Sequence, residues 1–291
     1  MLLLLFGGVI TQAEETEGES EMTGNAKIAA VETDDFKMDY LQFGNGDETL
    51  VILPGLSVQS VMGSADAVVK AYQQLADHYT ICLFDRRKEL PAEYSLQDMA
   101  DDTAQAIAAA GLDEVNLFGV SQGGMIAMGI AIEHPELVKK LVLGSTSSDI
   151  TKEMYQLIDK WIQMAKEGRA EDLYLSFGEM LYPEDVFNQS KDLLKAAAKT
   201  VTKEDLDRFI ILAQSLRDFD ITDELDQIAC PVLLIGSKDD RVLGVEATQV
   251  IAEHLSGRPD FELYLYDGYG HAAYDTAPDY KERVLSFLEI H

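Results

Sequence analysis

Cysteine is almost absent: Cys82 and Cys230 are the only two in 291 residues. Each sits in or beside an apolar run, on separate expected strands. Both read as small buried hydrophobes, so neither a disulfide nor a metal site is expected. Histidine is scarce too, and the five present lack ligand spacing, which argues against zinc. Basic residues are few, 23 Lys plus Arg against 52 Asp plus Glu, for a formal net charge of -29. With no basic stripe to meet phosphates, a nucleic-acid partner is excluded, and a neutral small-molecule substrate matches the charge better than a polyanion. The acidity itself reads as surface solubility.

No integral membrane span is expected. The apolar run Leu2 to Ile10 covers nine residues, far short of a helix that crosses a bilayer. Thr11-Gln12-Ala13 and an acidic stretch, Glu14 to Glu21, follow it. That order resembles a secretory h-region with a small-residue cleavage site, although no positive charge precedes it. Two readings stay open: a shortened signal on a secreted protein, or a floppy leader on a cytoplasmic one. Thr11 to Asn25 reads as an acidic linker without a fold in either case. Residues 1–29 are therefore set apart from the folded chain.

What the chain does have is apolar residue, 47% of it, ample for a large core. It is organised around Val115-Asn116-Leu117-Phe118-Gly119-Val120-Ser121-Gln122-Gly123-Gly124, a short apolar run leading into Gly-x-Ser-x-Gly. The helical run Met125 to Ile132 follows. A strand that turns at once into a helix places Ser121 at the apex, with its hydroxyl exposed and its backbone strained. Gly119 and Gly123 let strand end and helix start approach closely. The N–H of Gln122, at the amino end of the helix, can donate to a developing negative charge.

Around this stretch, strands and helices alternate. Val31 to Phe43 reads as one strand ending in a hairpin-type turn at Gly44-Asn45-Gly46. Thr49 to Leu53 is a buried strand that stops at Pro54-Gly55-Leu56-Ser57, and Ser64 to His78 has helical spacing. Tyr79 to Phe84 is the next strand. Leu96 to Ala110 is a helix, with Ser95 as N-cap and Asp98 three residues on. Lys139 to Gly144, Cys230 to Gly236 and Phe261 to Tyr266 are further strands; Val245 to Leu255 and Lys281 to Ile290 are helices. The alternation predicts an α/β fold, an open, mostly parallel sheet with helices on both faces. Sites in such sheets lie outside the carboxyl ends of the strands, where Pro54 to Ser57, Ser121 and Gly144 to Ser147 should converge.

Between Ser148 and Asp220 the alternation stops. Helical periods cover Tyr155 to Ala165, Glu171 to Met180, Asp185 to Ala197 and Lys203 to Leu216, with no strand-like run between them. This reads as an inserted all-helical cap over 148–217, on a core of 30–147 and 218–291. Trp161, the single tryptophan, is expected to pack between cap and core more than to serve as a substrate platform.

A serine hydroxyl needs a base near neutral pH, and the base needs an orienting carboxylate. His271 alone follows a predicted strand end in a Gly-rich loop; His78 and His134 close helices, and His254 lies late in one. For the carboxylate, Asp239 is the first acid after a buried strand and is favoured over its neighbour Asp240. The order Ser, Asp, His is one known for such triads. A second oxyanion donor must come from the loop after Leu53, where the N–H of Leu56 faces that of Gln122.

On these motifs the chain resembles the alpha/beta-hydrolase fold family over roughly residues 30 to 290. The resemblance rests on Gly119 to Gly124, on Gly236-Ser237-Lys238-Asp239-Asp240-Arg241-Val242 and on Gly270-His271; the family pattern also places the acid at Asp239. Phe84-Asp85-Arg86-Arg87 looks like the family's Asp-x-Arg-Gly stretch, with Lys88 where glycine is usual. Pro54-Gly55 stands where many members have His-Gly. The general look is similar to small esterases and enol-lactonase-like hydrolases. What this implies is a serine hydrolase of a small or medium carboxylic ester, lactone or thioester, working through an acyl-enzyme and needing no metal or organic cofactor. Carbon–carbon bond hydrolysis beside a ketone and cofactor-free peroxidase chemistry are the alternatives, with a non-catalytic binding module on the same fold behind them. The oligomeric state stays open.

Overall fold

The chain enters its sheet through an antiparallel hairpin, β1 (Lys27–Glu32) and β2 (Lys37–Phe43). The computed structural model describes residues 25–290; of the expected leader, 1–24 lie outside them, while 27–29 are part of β1. Val31 to Phe43 is thus not one strand. Thr33 breaks it, its hydroxyl accepting from the N–H of Asp35 and of Phe36, a local side-chain turn that competes with strand pairing. Gly44-Asn45-Gly46 makes no hairpin either, because β2 and β3 (Glu48–Leu53) are not neighbours: the sheet order is β1-β2-β4-β3-β5-β6-β7-β8.

The remaining strands are β4 (Tyr79–Arg87), β5 (Val115–Val120), β6 (Val138–Gly144), β7 (Val232–Ser237) and β8 (Phe261–Tyr266). From β4 across to β8 every pairing is parallel. The central strands β5 and β7 are buried at all positions, as strands covered on both faces must be. Alternate residues of β5 show the two layers. The Phe118 ring meets Tyr72 and Tyr280 on one face, while Gly119 faces the helix after Ser121.

The first helical region, read as Ser64 to His78, is broken at Tyr72 into α1 (Ala65–Ala71) and α2 (Gln73–Ala76). α3 (Leu96–Ala109) begins with the expected capping box between Ser95 and Asp98. It packs on α4 (Gln122–Glu133). Between β6 and β7 come α5 (Lys152–Lys166), α6 (Ala170–Leu181), α7 (Glu184–Ala198) and α8 (Lys203–Gln214). The two ends of this insertion are clasped: Ile150 donates to the Phe219 carbonyl and Ile221 to that of Ser148, both at 2.9 Å. α9 (Val245–Leu255), the short α10 (Ala273–Thr276) and α11 (Tyr280–Ile290) complete the chain.

Cys82 is buried in β4, while Cys230 lies just before β7 and is only partly buried. Burial pushes both thiols up to about 11. Among the described residues, no helix is long and apolar enough to cross a membrane.

Candidate active site

Ser121 stands between the last residue of β5 and the first of α4, with φ 52° and ψ -123°. A side-chain-bearing residue is rarely held there, and it persists only where its surroundings over-determine it. The surroundings do so. The Ser121 N–H donates to the Gly144 carbonyl at 2.9 Å. Its own carbonyl accepts from the buried Thr146 hydroxyl at 2.7 Å and from the N–H groups of Gly124 and Met125. The turn closes only because two residues have no side chain. A Cβ on Gly119 would lie 2.3 Å from the Gly123 carbonyl oxygen, and one on Gly123 2.1 Å from that of Leu53.

Ser121 opens into a narrow cavity of about 30 Å³. Leu56 from the loop after β3, Gln122 and Met125 of α4, and His271 line it from the sheet side. Ile158, Trp161 and Phe177 of the insertion line it from above, with Val242 and Leu243 at the flank. Larger depressions of about 310 Å³ along α11 and about 690 Å³ over α5 lie elsewhere, and neither is bordered by Ser121 or His271. The small one matters because a strand-end hydroxyl and an imidazole both border it. Trp161 both packs and lines. Its ring centre lies 4.1 Å from that of Phe177, its N–H donates to the Ser176 hydroxyl, and the residue borders the cavity.

His271 is buried, and its Nδ1 lies 2.8 Å from Oδ2 of Asp240. A carboxylate only accepts, so Nδ1 carries the proton. The other Asp240 oxygen accepts from the N–H groups of Val242 at 2.8 Å and Leu243 at 3.0 Å. The expectation that Asp239 would orient the imidazole is therefore corrected. Asp239 faces the other way, accepting from the Ser237 hydroxyl at 2.8 Å and from the N–H groups of Gly268 and Gly270 at 3.0 Å each. Burial pushes the Asp239 carboxyl up. The bonds from Ser237, Gly270 and Gly268 outweigh that and hold it below the usual value. Asp239 thus fastens the β7 end to the loop carrying His271, and Asp240 meets the ring.

Leu56 and Gln122, the expected oxyanion donors, both border the cavity, and both are buried. Gln122 is the first residue of α4, where the first N–H groups of a helix have no intrahelical acceptor. Its side chain is committed elsewhere: Nε2 donates to the Leu212 carbonyl at 2.8 Å and to the Ser215 hydroxyl at 3.2 Å, both at the end of α8. Thr146 went unrecognised as the support of the Ser121 carbonyl. A hydroxyl two residues past a strand end beside a close-packed glycine was its only signal.

A profile of the alpha/beta hydrolase fold matches residues 48–278. The chain belongs to that family. Among curated relatives, the hydrolase is 29% identical over 248 residues, 81% of its own chain and 93% of the other, to a protein of Agrobacterium fabrum named "Putative carbamate hydrolase RutD". Among solved structures, it superposes on an esterase from Exiguobacterium antarcticum with a TM-score of 0.75 at 22% identity, covering 89% of this chain and 98% of that one. The enol-lactonase from Burkholderia xenovorans LB400 gives a TM-score of 0.75 at 15% identity, with 90% and 100% covered. Likenesses at such identities concern the fold. Among the described residues, no group of three or more His, Cys, Asp or Glu side chains could hold a metal ion.

Proposed function

We propose that this hydrolase cleaves a short, uncharged carboxylic ester, lactone or thioester through a Ser121 acyl-enzyme, with His271 as general base and acid and Asp240 as its orienting carboxylate. The observation that carries the reading is the shared cavity. A strained serine at a strand-to-helix turn and an imidazole already held by a carboxylate border the same apolar space. With Nδ1 engaged, Nε2 is the nitrogen left to take the Ser121 proton as Oγ attacks the carbonyl carbon. The N–H groups of Leu56 and Gln122 would hold the oxyanion. The imidazolium then protonates the leaving alcohol or thiol. Water, activated by the same nitrogen, releases the acid and regenerates the serine.

The cavity supports the substrate class. About 30 Å³ is room for roughly two waters, and its wall carries no charged side chain apart from His271 if protonated. A short neutral acyl group suits such a space; an ionised one would lose its hydration there without a partner. A second reading, carbamate as the acyl group, is favoured by the name of the Agrobacterium relative. It meets one objection, since a carbamate anion finds no cation among the lining residues.

Labelling by a fluorophosphonate, wild type against Ser121→Ala, tests the chemistry. Labelling of the wild type alone is expected, and folded wild type that stays unlabelled overturns the proposal. Turnover of p-nitrophenyl acetate against p-nitrophenyl carbamate then separates the two acyl groups.

A further inference from the structure

The two amides assigned to the oxyanion sit on separate segments, Leu56 in the loop after β3 and Gln122 at the first position of α4. Two donors on separate segments need a support that spans both to keep a fixed spacing. One buried side chain reaches both. Arg86, at the end of β4, is only 4% exposed. Its Nη2 donates to the Pro54 carbonyl at 2.8 Å and, less closely at 3.4 Å, to Oε1 of Gln122. Pro54 lies two residues before Leu56, and Gln122 carries the other N–H. We infer that Arg86 is a positioning residue that sets the separation of the two oxyanion donors, tying the loop after β3 to the start of α4 while touching no substrate. This rests on the acyl-enzyme reading above.

The surroundings suit such a strut. The guanidinium is planar, so one nitrogen can serve two acceptors while the plane stays fixed. Asp85 supplies the neighbouring negative charge and is itself satisfied: Oδ1 accepts from the Arg86 N–H at 2.8 Å and from Arg208 of α8 at 2.7 Å, and Oδ2 from the Ser60 hydroxyl at 2.5 Å. The Gln122 amide is in turn pinned to the end of α8. Both ends of the strut are therefore braced, one by the main chain of the loop and one by the insertion. Arg86 does not line the cavity that Ser121 and His271 share, which separates positioning from direct contact.

The test reads Arg86→Gln and Arg86→Lys, with folded active sites counted by fluorophosphonate titration. Loss of one oxyanion donor lowers kcat about 100- to 1,000-fold in well-studied cases. A displaced pair should lose about 10- to 100-fold in Arg86→Gln. KM for p-nitrophenyl acetate should stay within about threefold of wild type, and the inhibition constant of a short trifluoromethyl ketone should rise by the same factor as kcat falls. Arg86→Lys keeps the charge and can reach one acceptor, so it should recover part of the loss. Gln122→Met removes one acceptor and keeps its own N–H, and should lower kcat in the same sense if neither Arg86 variant folds. A folded variant with kcat within twofold of wild type, or a loss that tracks only the folded fraction with ketone affinity unchanged, overturns the inference. Absence of labelling in the wild type removes the reaction and this role with it.

Discussion

Exchanging one carboxylate oxygen for an amide nitrogen at 240 should nearly abolish turnover, while the same exchange at 239 should not. Asp240 has one oxygen on the N–H groups of Val242 and Leu243, which can only donate, and the other 2.8 Å from Nδ1 of His271. In Asp240→Asn the amide oxygen must stay on the two N–H groups, so the NH2 is turned to the ring. A donor there forces the proton onto Nε2 and leaves the nitrogen facing the cavity without a lone pair for the Ser121 proton. The corresponding change in a serine protease, a worked case in another fold, costs about 10⁴ in kcat. That corresponds to about 5 kcal/mol of barrier, and a loss of about 10³ to 10⁴ is expected here. Asp239→Asn faces only the Ser237 hydroxyl and two N–H groups, so kcat should fall by less than about tenfold. Initial rates with p-nitrophenyl acetate at pH 7 and 8, on protein titrated for active sites, decide between them. Near-normal turnover in Asp240→Asn with a dead Asp239→Asn would refute the assignment.

The depressed carboxyl of Asp239 makes stability depend on pH. A group whose folded value lies below its ordinary 3.8 adds stability above that pH and loses it as pH falls through the folded value. Asp239→Asn should therefore be less stable than wild type at pH 7, with the gap narrowing below about pH 4, read by urea unfolding at both. Gly123→Ala puts a Cβ 2.1 Å from the Leu53 carbonyl oxygen and should cost about 2–4 kcal/mol or prevent folding. Gly257→Ala, whose Cβ meets nothing within 4 Å, should leave the melting temperature almost unchanged. Across p-nitrophenyl esters, kcat/KM should peak at acetyl to butyryl and fall by octanoyl; a rise toward long chains would mean the cavity enlarges greatly on binding.

The buried parallel strands and the elbow at Ser121 were legible because their signals are redundant. Apolar runs, bracketing glycines and the following helix all agree, and the Ser95 capping box set the start of α3 to the residue. Failures came where one local interaction outweighed a pattern. Thr33 turns its chain through a hydroxyl, which splits what alternates like one strand. A break at Tyr72 divides an otherwise regular helical period. The choice between Asp239 and Asp240 depended on which of two adjacent carboxylates swings toward a loop thirty residues away. Spacing from the strand end carries no information about that swing. The Asp85-Arg86-Arg87 stretch was visible as a motif, but that its middle residue, Arg86, reaches a main-chain carbonyl and the side-chain amide of Gln122 emerges only in three dimensions.

The anchoring of α8 bears on how this enzyme could be re-engineered. Its last-turn carbonyl at Leu212 and the Ser215 hydroxyl hold the Gln122 amide, and Arg208 reaches down to Asp85. A chimera carrying another protein's helices over 152–214 would swap more than the roof over the substrate: it would unfasten the residue beside the nucleophile. Transplants that keep 203–215 native should retain turnover far better than those that exchange the whole segment.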